Sequence, residues 1–267
     1  MSREDEHKFQ KNRQKIELAS GEQIEGRNPL QEALRAGRKV RQLYVLNRAN
    51  KVSQSDPLAK LARQSEAGGA SVFYVDRATL DSLAISNAHQ GVIAIVEEYR
   101  YADLDAVLCA EEAAGTSPFI ILLDNLQDAH NLGAILRIAD GAGVSAVLIP
   151  KHRSVSLNAV VAKTSAGAIE YVPVCQETNL TQAVLRLKDA GFWIYGTSDA
   201  AQEKYYDVDW KGKIALIIGS EGKGISEKLL KHCDFQITIP QRGEINSLNA
   251  SVACGIITFE AMRQRGL

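Results

Sequence analysis

The sequence predicts an α/β protein of two units, the larger built on a mostly parallel sheet with helices on both faces. Three observations predict it. Apolar runs of strand length, such as FIILLDNL (119–126) and KIALIIGS (213–220), are continuous rather than alternating, as in strands buried on both faces. Most of these runs lead into a segment of helical periodicity, and strand–helix alternation builds parallel sheets. The same alternation, in shorter elements, fills the first hundred residues. An acidic, alanine-rich stretch (LDAVLCAEEAAGTSP, 104–118) separates the two.

Residues 1–20 alternate in charge and hold few large apolar side chains, so a disordered tail is expected. PLQEALRAG (29–37) places Leu30, Ala33 and Leu34 on one helical face and ends on glycine. VRQLYVLN (40–47) is a strand. DPLAKLARQSEAGG (56–69) is a helix with Pro57 in its first turn. A strand (71–76), a short helix (78–84) and a strand (91–98) complete the first unit, expected over 21–99, with a linker over 100–118 that has room for a helical turn or two. The second unit, 119–267, begins with strand 119–126, helix 131–143 and strand 145–150. Helix 157–168, strand 171–175, helix 180–191 and strand 192–198 follow. Strand 213–220, helix 226–233, strand 235–240 and a long helix, 247–265, close the chain.

Composition narrows the function classes. With 267 residues, 45% hydrophobic and 24% charged, the chain is an ordinary globular protein. No apolar run approaches the roughly 18 residues of a membrane span, and the N-terminus lacks the apolar core of a signal peptide. The four cysteines are far apart without a CxxC pair, and the five histidines show no ligand spacing. A disulfide framework or metal site is therefore not expected, and a reducing cytoplasm fits. Net charge is −1, but residues 27–63 carry nine basic side chains against Glu32 and Asp56, a local charge of +7. Such a field suits a phosphate backbone, or it is a solubilising surface.

In open parallel sheets ligands collect at the carboxyl ends of the strands, which singles out three loops. GSEGKGIS (219–226) lets backbone N–H groups approach a ligand and places Glu221 among them. Its spacing is neither that of a Walker A loop nor GxGxxG. IPQRGEINSLNAS (239–251) crowds Asn246, Ser247 and Asn249 before a helix that needs only one cap. DNLQDAHNLGAILR (124–137) sets Asn131 near a helix start, beside His130, with Arg137 interrupting an apolar helix. Arg137 is either a surface side chain or a guanidinium aimed at a phosphate or carboxylate.

NLGAILRIADGAGV (131–144), ALIIGSEGKGIS (215–226) and ITIPQRGEINSLNASVACGIITFEAMRQR (237–265) resemble, in order, the three motifs of the SpoU/TrmH branch of the SPOUT RNA methyltransferases. EGRNPLQEALRAGRKVRQLYV (25–45) and HQGVIAIV (89–96) are similar to the substrate-binding domain of the family's 23S rRNA guanosine 2′-O-methyltransferases. The resemblance implies a C-terminal trefoil knot, which general folding rules would not suggest, and a ribosomal-protein-like first domain. It implies S-adenosylmethionine as methyl donor, without a metal, held near Thr197, Gly219, Ile239 and Leu248. It implies Asn131, Arg137, Glu221, Ser247 and Asn249 as the catalytic set, in a homodimer with the active site near the interface.

The implied function is 2′-O-methylation of a guanosine in 23S ribosomal RNA. Another rRNA or tRNA site, including antibiotic-resistance methylation, and a non-catalytic RNA-binding assembly factor are the alternatives. The family's first-motif arginine is proposed as base. An arginine stays protonated across the accessible pH range, so lowering the hydroxyl's pKa and gripping phosphate suit Arg137 better. Asn131, Ser247 and Asn249 would orient it or the ribose, and Glu221 would hold the loops together. Two departures stand out: Ala250 where the family pattern implies valine, and Arg242 and Glu244 in the stretch after Pro240.

Overall fold

The computed structural model describes residues 19–47, 56–86, 88–243 and 247–266. Most of the expected tail, and Arg48, Lys51, Glu244 and Asn246, lie outside the described residues. The first unit runs β1 (Glu22–Glu25), α1 (Arg27–Arg35), β2 (Val40–Leu46), α2 (Pro57–Ala67), β3 (Ser71–Val75), α3 (Arg77–Leu83) and β4 (Val92–Val96). Its sheet has the order β1-β4-β2-β3. β4 is antiparallel to β1 and β2, whereas β2 and β3 are parallel. β1 has no counterpart among the expected strands. Its sequence, EQIE, offers a single apolar side chain, and pairing with β4 makes it a strand.

The second unit adds α4 (Leu104–Ala113), β5 (Phe119–Asp124), α5 (Ala129–Gly141), β6 (Ala146–Pro150), α6 (Ala159–Thr164), β7 (Val174–Glu177), α7 (Leu180–Asp189), β8 (Trp193–Thr197), β9 (Glu203–Lys204), β10 (Ile214–Gly219), α8 (Glu227–Leu230), β11 (Phe235–Thr238) and α9 (Ala250–Arg265). Its seven strands are parallel, in the order β7-β6-β5-β10-β8-β11-β9. The continuous apolar runs have the expected cause. In β5, Phe119, Ile121 and Leu123 join a core with Ile135 of α5 and Ile257 of α9. Ile120 and Leu122 face the opposite side, against Val184 and Leu187 of α7. Each such side chain, fully buried, contributes roughly 1.5–3 kcal/mol. The β5–β10 register sets Gly219 beside Asp124, so both strands end at one edge.

The segment expected as a linker is largely built into the second unit. Ala102 bridges to Cys175 of β7, Asp103 caps α4, and Leu104 is buried in the core beneath it. Alanine costs little in a helix, so the composition that looked like a spacer serves equally as helix.

The helix expected over 157–168 stops at Thr164 because the first unit docks there. Gly167, at φ 98°, lies so close to Glu32 that an added Cβ would sit 2.5 Å from the Glu32 Cβ. Around this point Tyr171 donates to Glu32 at 2.7 Å, and Lys163 donates to Ser86 at 2.9 Å. The centre of the junction is Arg38, whose guanidinium pairs with Glu22 at 2.5 Å and Glu170 at 2.8 Å, and donates to the Glu97 carbonyl. Its side chain is only 9% exposed and lies against the Tyr99 ring. Part of the basic segment therefore serves the junction between units rather than a surface field. Arg38→Ala leaves Glu170 buried without its partner and should lower stability by about 3–5 kcal/mol. Thermal denaturation checks this, and a melting temperature within a degree of wild type would contradict the assignment.

Candidate active site

Three loops converge at the carboxyl edge of the large sheet. β5 leads through Asp128, which caps α5 by accepting from the His130 N–H at 2.9 Å. The helix therefore starts two residues earlier than expected and carries Asn131 in its first turn, 6% exposed. β10 ends at Gly219 and leads into the turn holding Glu221, closed by reciprocal backbone bonds between Ser220 and Gly224. The third loop ends at Asn249, the N-cap of α9.

One hydrogen-bonded cluster joins these loops. Asn131 Nδ2 donates to Glu221 Oε1 at 2.9 Å, and Asn249 Nδ2 donates to the same oxygen at 2.7 Å and to Asn131 Oδ1 at 2.9 Å. The donors fix both carboxamides. Asn249 Oδ1 is already engaged by the Ser251 and Val252 N–H groups and the Ser251 hydroxyl, so its nitrogen must face the cluster. Glu221 uses one oxygen twice and keeps Oε2 without a hydrogen-bond partner among the described residues. A polar rim with one unspent acceptor can orient a hydroxyl or a cation.

Beside the rim lies a cavity of about 560 Å³. Thr197, Gly219, Ile239 and Leu248 all line it, and so do Glu221 and Ser247. Its floor carries small or apolar groups such as Ile218, Ile237 and Ala253, and the glycines of 219–224 expose backbone along one wall. Such a mixed lining, apolar at Ile218, Ile237 and Leu248 and polar at Thr197, Asp199 and Lys223, suits a nucleoside-sized ligand. Gly219 is required there. A Cβ on it would lie 2.1 Å from the Gly224 carbonyl carbon and 2.3 Å from the Ile225 nitrogen.

Arg137 stands apart from this assembly within one chain. It is exposed, does not line the cavity, and makes no hydrogen bond or ion pair among the described residues. Six residues along α5 place it about 9 Å further up and roughly 120° around the helix from Asn131. Of the departures, Ala250 is buried in the first turn of α9 and Arg242 is exposed, and neither side chain joins the cluster.

Asp124 was not singled out in the sequence. It is 5% exposed, and its Oδ2 accepts from the Ser226 N–H at 2.8 Å, tying the end of the glycine loop to β5. The available signal was a carboxylate ending an unbroken apolar run. Burial pushes the Cys175, Cys233 and Cys254 thiols up to about 12, away from reactive thiolates, and the exposed Cys109 does not line the cavity. Among the described residues no cluster of His, Cys, Asp or Glu could hold a metal ion, and no helix is long and apolar enough to cross a membrane.

Residues 118–259 match the SpoU rRNA methylase family. The chain belongs to that family. Residues 23–102 match the RNA 2′-O ribose methyltransferase substrate-binding domain, so both units fall within known SpoU components. Among relatives of this SpoU protein is YacO of Bacillus subtilis (strain 168), by its name assigned to the TrmH family tRNA/rRNA methyltransferases. It is 41% identical over 240 residues, covering 90% of this chain and 94% of YacO. A Staphylococcus epidermidis protein similarly assigned is 42% identical over 91% of this chain and 95% of its own. The SpoU methyltransferase AviRb of Streptomyces viridochromogenes, solved in complex with AdoMet, superposes with a TM-score of 0.76 at 25% identity, covering 91% of this chain and 89% of that one. A crystal structure of an RNA 2′-O ribose methyltransferase gives 0.74 at 26% identity, over 92% and 89%.

Proposed function

We propose that this SpoU protein transfers a methyl group from S-adenosylmethionine to the ribose 2′-hydroxyl of a guanosine in 23S ribosomal RNA, as a cytoplasmic homodimer. The observation that carries the reading is the Asn131–Glu221–Asn249 cluster at the rim of the 560 Å³ cavity. A protein that only bound RNA would not need three distant loops joined by a fixed carboxylate beside a nucleoside-sized cavity.

The methyl donor supplies a methyl group activated on a sulfonium, so the protein's task is orientation and the loss of one proton. In this reading Thr197, Gly219, Ile239 and Leu248 hold the donor in the cavity they line. Asn131 and Asn249 keep Glu221 in place, and Ser247 and the free Glu221 oxygen position the ribose. In the transfer the hydroxyl oxygen would bond to the methyl carbon as the carbon–sulfur bond breaks, the sulfonium leaving as a neutral thioether and the hydroxyl proton passing to water. A guanidinium near that oxygen lowers the hydroxyl's pKa and grips the adjoining phosphate.

The homodimer reading rests on α9 and α5. Val252 and Phe259 on α9 are 49% and 51% exposed, and α9 packs beside α5, the helix that carries Arg137. A second copy covering this face would let Arg137 reach the partner's site. The test of the function is transfer of labelled methyl to RNA. The purified protein should label 23S ribosomal RNA at a single ribose, found by mapping 2′-O-methyl positions in RNA from cells with and without it. Labelling of tRNA would move the target, and no transfer to any ribosomal or transfer RNA would refute the enzyme.

A further inference from the structure

A second cavity, of about 650 Å³, lies in the first unit. The N-terminus of α1, the 88–91 turn and the start of α3 form it. Its lining includes Arg27, Asn28, Arg77, His89 and Gln90. We propose that this cleft grips a phosphodiester of the RNA substrate between Arg27 and Arg77. The inference rests on the methyltransferase reading above and names the surface by which the substrate is held.

The cleft is built rather than incidental. His89 forms a wall: its Nδ1 accepts from the Gly91 N–H at 3.1 Å, so Nε2 carries the proton and donates to Asp81 at 2.9 Å. Its side chain is 8% exposed. Gln90, held at φ 54°, accepts from the Arg27 backbone N–H with its side chain and from Arg27 Nε with its carbonyl at 3.2 Å. That contact fixes the guanidinium and leaves both terminal nitrogens without partners among the described residues. A guanidinium fixed in advance loses little freedom when it meets a phosphate, and its fork matches two phosphate oxygens.

Arg77 is freer, 79% exposed, with only a 3.8 Å approach to Asp81. The end of α1 adds to the positive field, since no side chain caps it and its first turn holds no acidic residue. Two other arginines of the basic segment are already engaged. Arg38 is consumed at the junction between units, and Arg35 pairs with Glu32 at 2.7 Å. A phosphodiester is favoured over an acidic peptide because this unit matches an RNA substrate-binding domain.

The test compares R27Q/R77Q, R77Q alone and R35Q, a charge-matched change at the far end of α1. Affinity for in vitro transcribed 23S ribosomal RNA and for bulk tRNA is measured from roughly 50 to 200 mM salt, a range over which phosphate-driven affinity falls steeply. The double variant should bind roughly tenfold more weakly at the low-salt end. Its slope of log affinity against log salt should fall by about one per arginine. R77Q should show about half of that slope change and R35Q almost none, with S-adenosylmethionine binding and melting temperature unchanged throughout. Unchanged affinity and slope in the double variant would overturn the cleft while leaving the enzyme reading intact. Equal losses in R35Q would also overturn it, by showing a diffuse field. A wild-type protein that binds neither RNA and transfers no methyl would overturn both.

Discussion

Arg137→Ala should lower methyl transfer by about 10²–10³-fold, the loss usual for one electrostatic group aimed at developing charge, while S-adenosylmethionine binding persists. Persistence follows from placement, because Arg137 does not line the cavity proposed to hold the donor. The direction of the catalytic effect follows from its isolation. It is an exposed cation within the apolar stretch 132–139 of α5, with no hydrogen bond or ion pair among the described residues to explain it structurally. Within one chain it does not reach the Asn131–Glu221–Asn249 cluster, so it is expected to act across a two-fold dimer. Mixing inactive R137A and E221A proteins distinguishes the two geometries. If Arg137 serves the partner's site, half the dimers are mixed and each restores one of two sites, about a quarter of wild-type turnover. If the mixture stays dead while R137A binds donor normally, Arg137 does not act in trans. Full turnover by R137A alone would remove it from the mechanism.

Gly219→Ala should abolish donor binding and destabilise the second unit by about 1–3 kcal/mol or more, as overpacking against backbone does. The new methyl would collide with the Gly224 carbonyl group and the Ile225 nitrogen, which are main chain and cannot swing aside. Relief requires opening the 219–226 loop, and that same loop carries Glu221 and is anchored by Asp124 at Ser226. Gly243→Ala is the matched comparison, because nothing lies within 4 Å of a Cβ there. Calorimetric titration with S-adenosylmethionine should show wild-type affinity for Gly243→Ala and none for Gly219→Ala. Wild-type affinity in Gly219→Ala would mean the loop is not the donor wall.

The layout of strands and helices was legible because burial leaves a period. β5 and β10 sit in a parallel sheet between two helical layers, and every residue of both is buried, so their sequences read as unbroken apolar runs. What failed to show were elements whose reason lies elsewhere in the chain. β1 exists through pairing with β4, and α6 ends early because Glu32 fills the space beside Gly167. α4 read as a spacer because an alanine-rich acidic stretch has no strong face until Leu104 finds the core.

The site divided in the same way. Glycines, capping residues and loop positions at strand ends are local properties, so Asn131, Glu221, Ser247 and Asn249 could be marked as candidates from the chain alone, and the family resemblance supplied their roles. Which of them touch is a matter of tertiary structure. Asn249 lies 118 residues from Asn131, and only the sheet order brings them within 2.9 Å. The basic segment shows the limit most clearly. Its charge of +7 is written in the sequence, yet whether an arginine faces a ligand or a buried glutamate depends on distances that no local pattern encodes. Coulombic pairing acts through space, and the chain records only order.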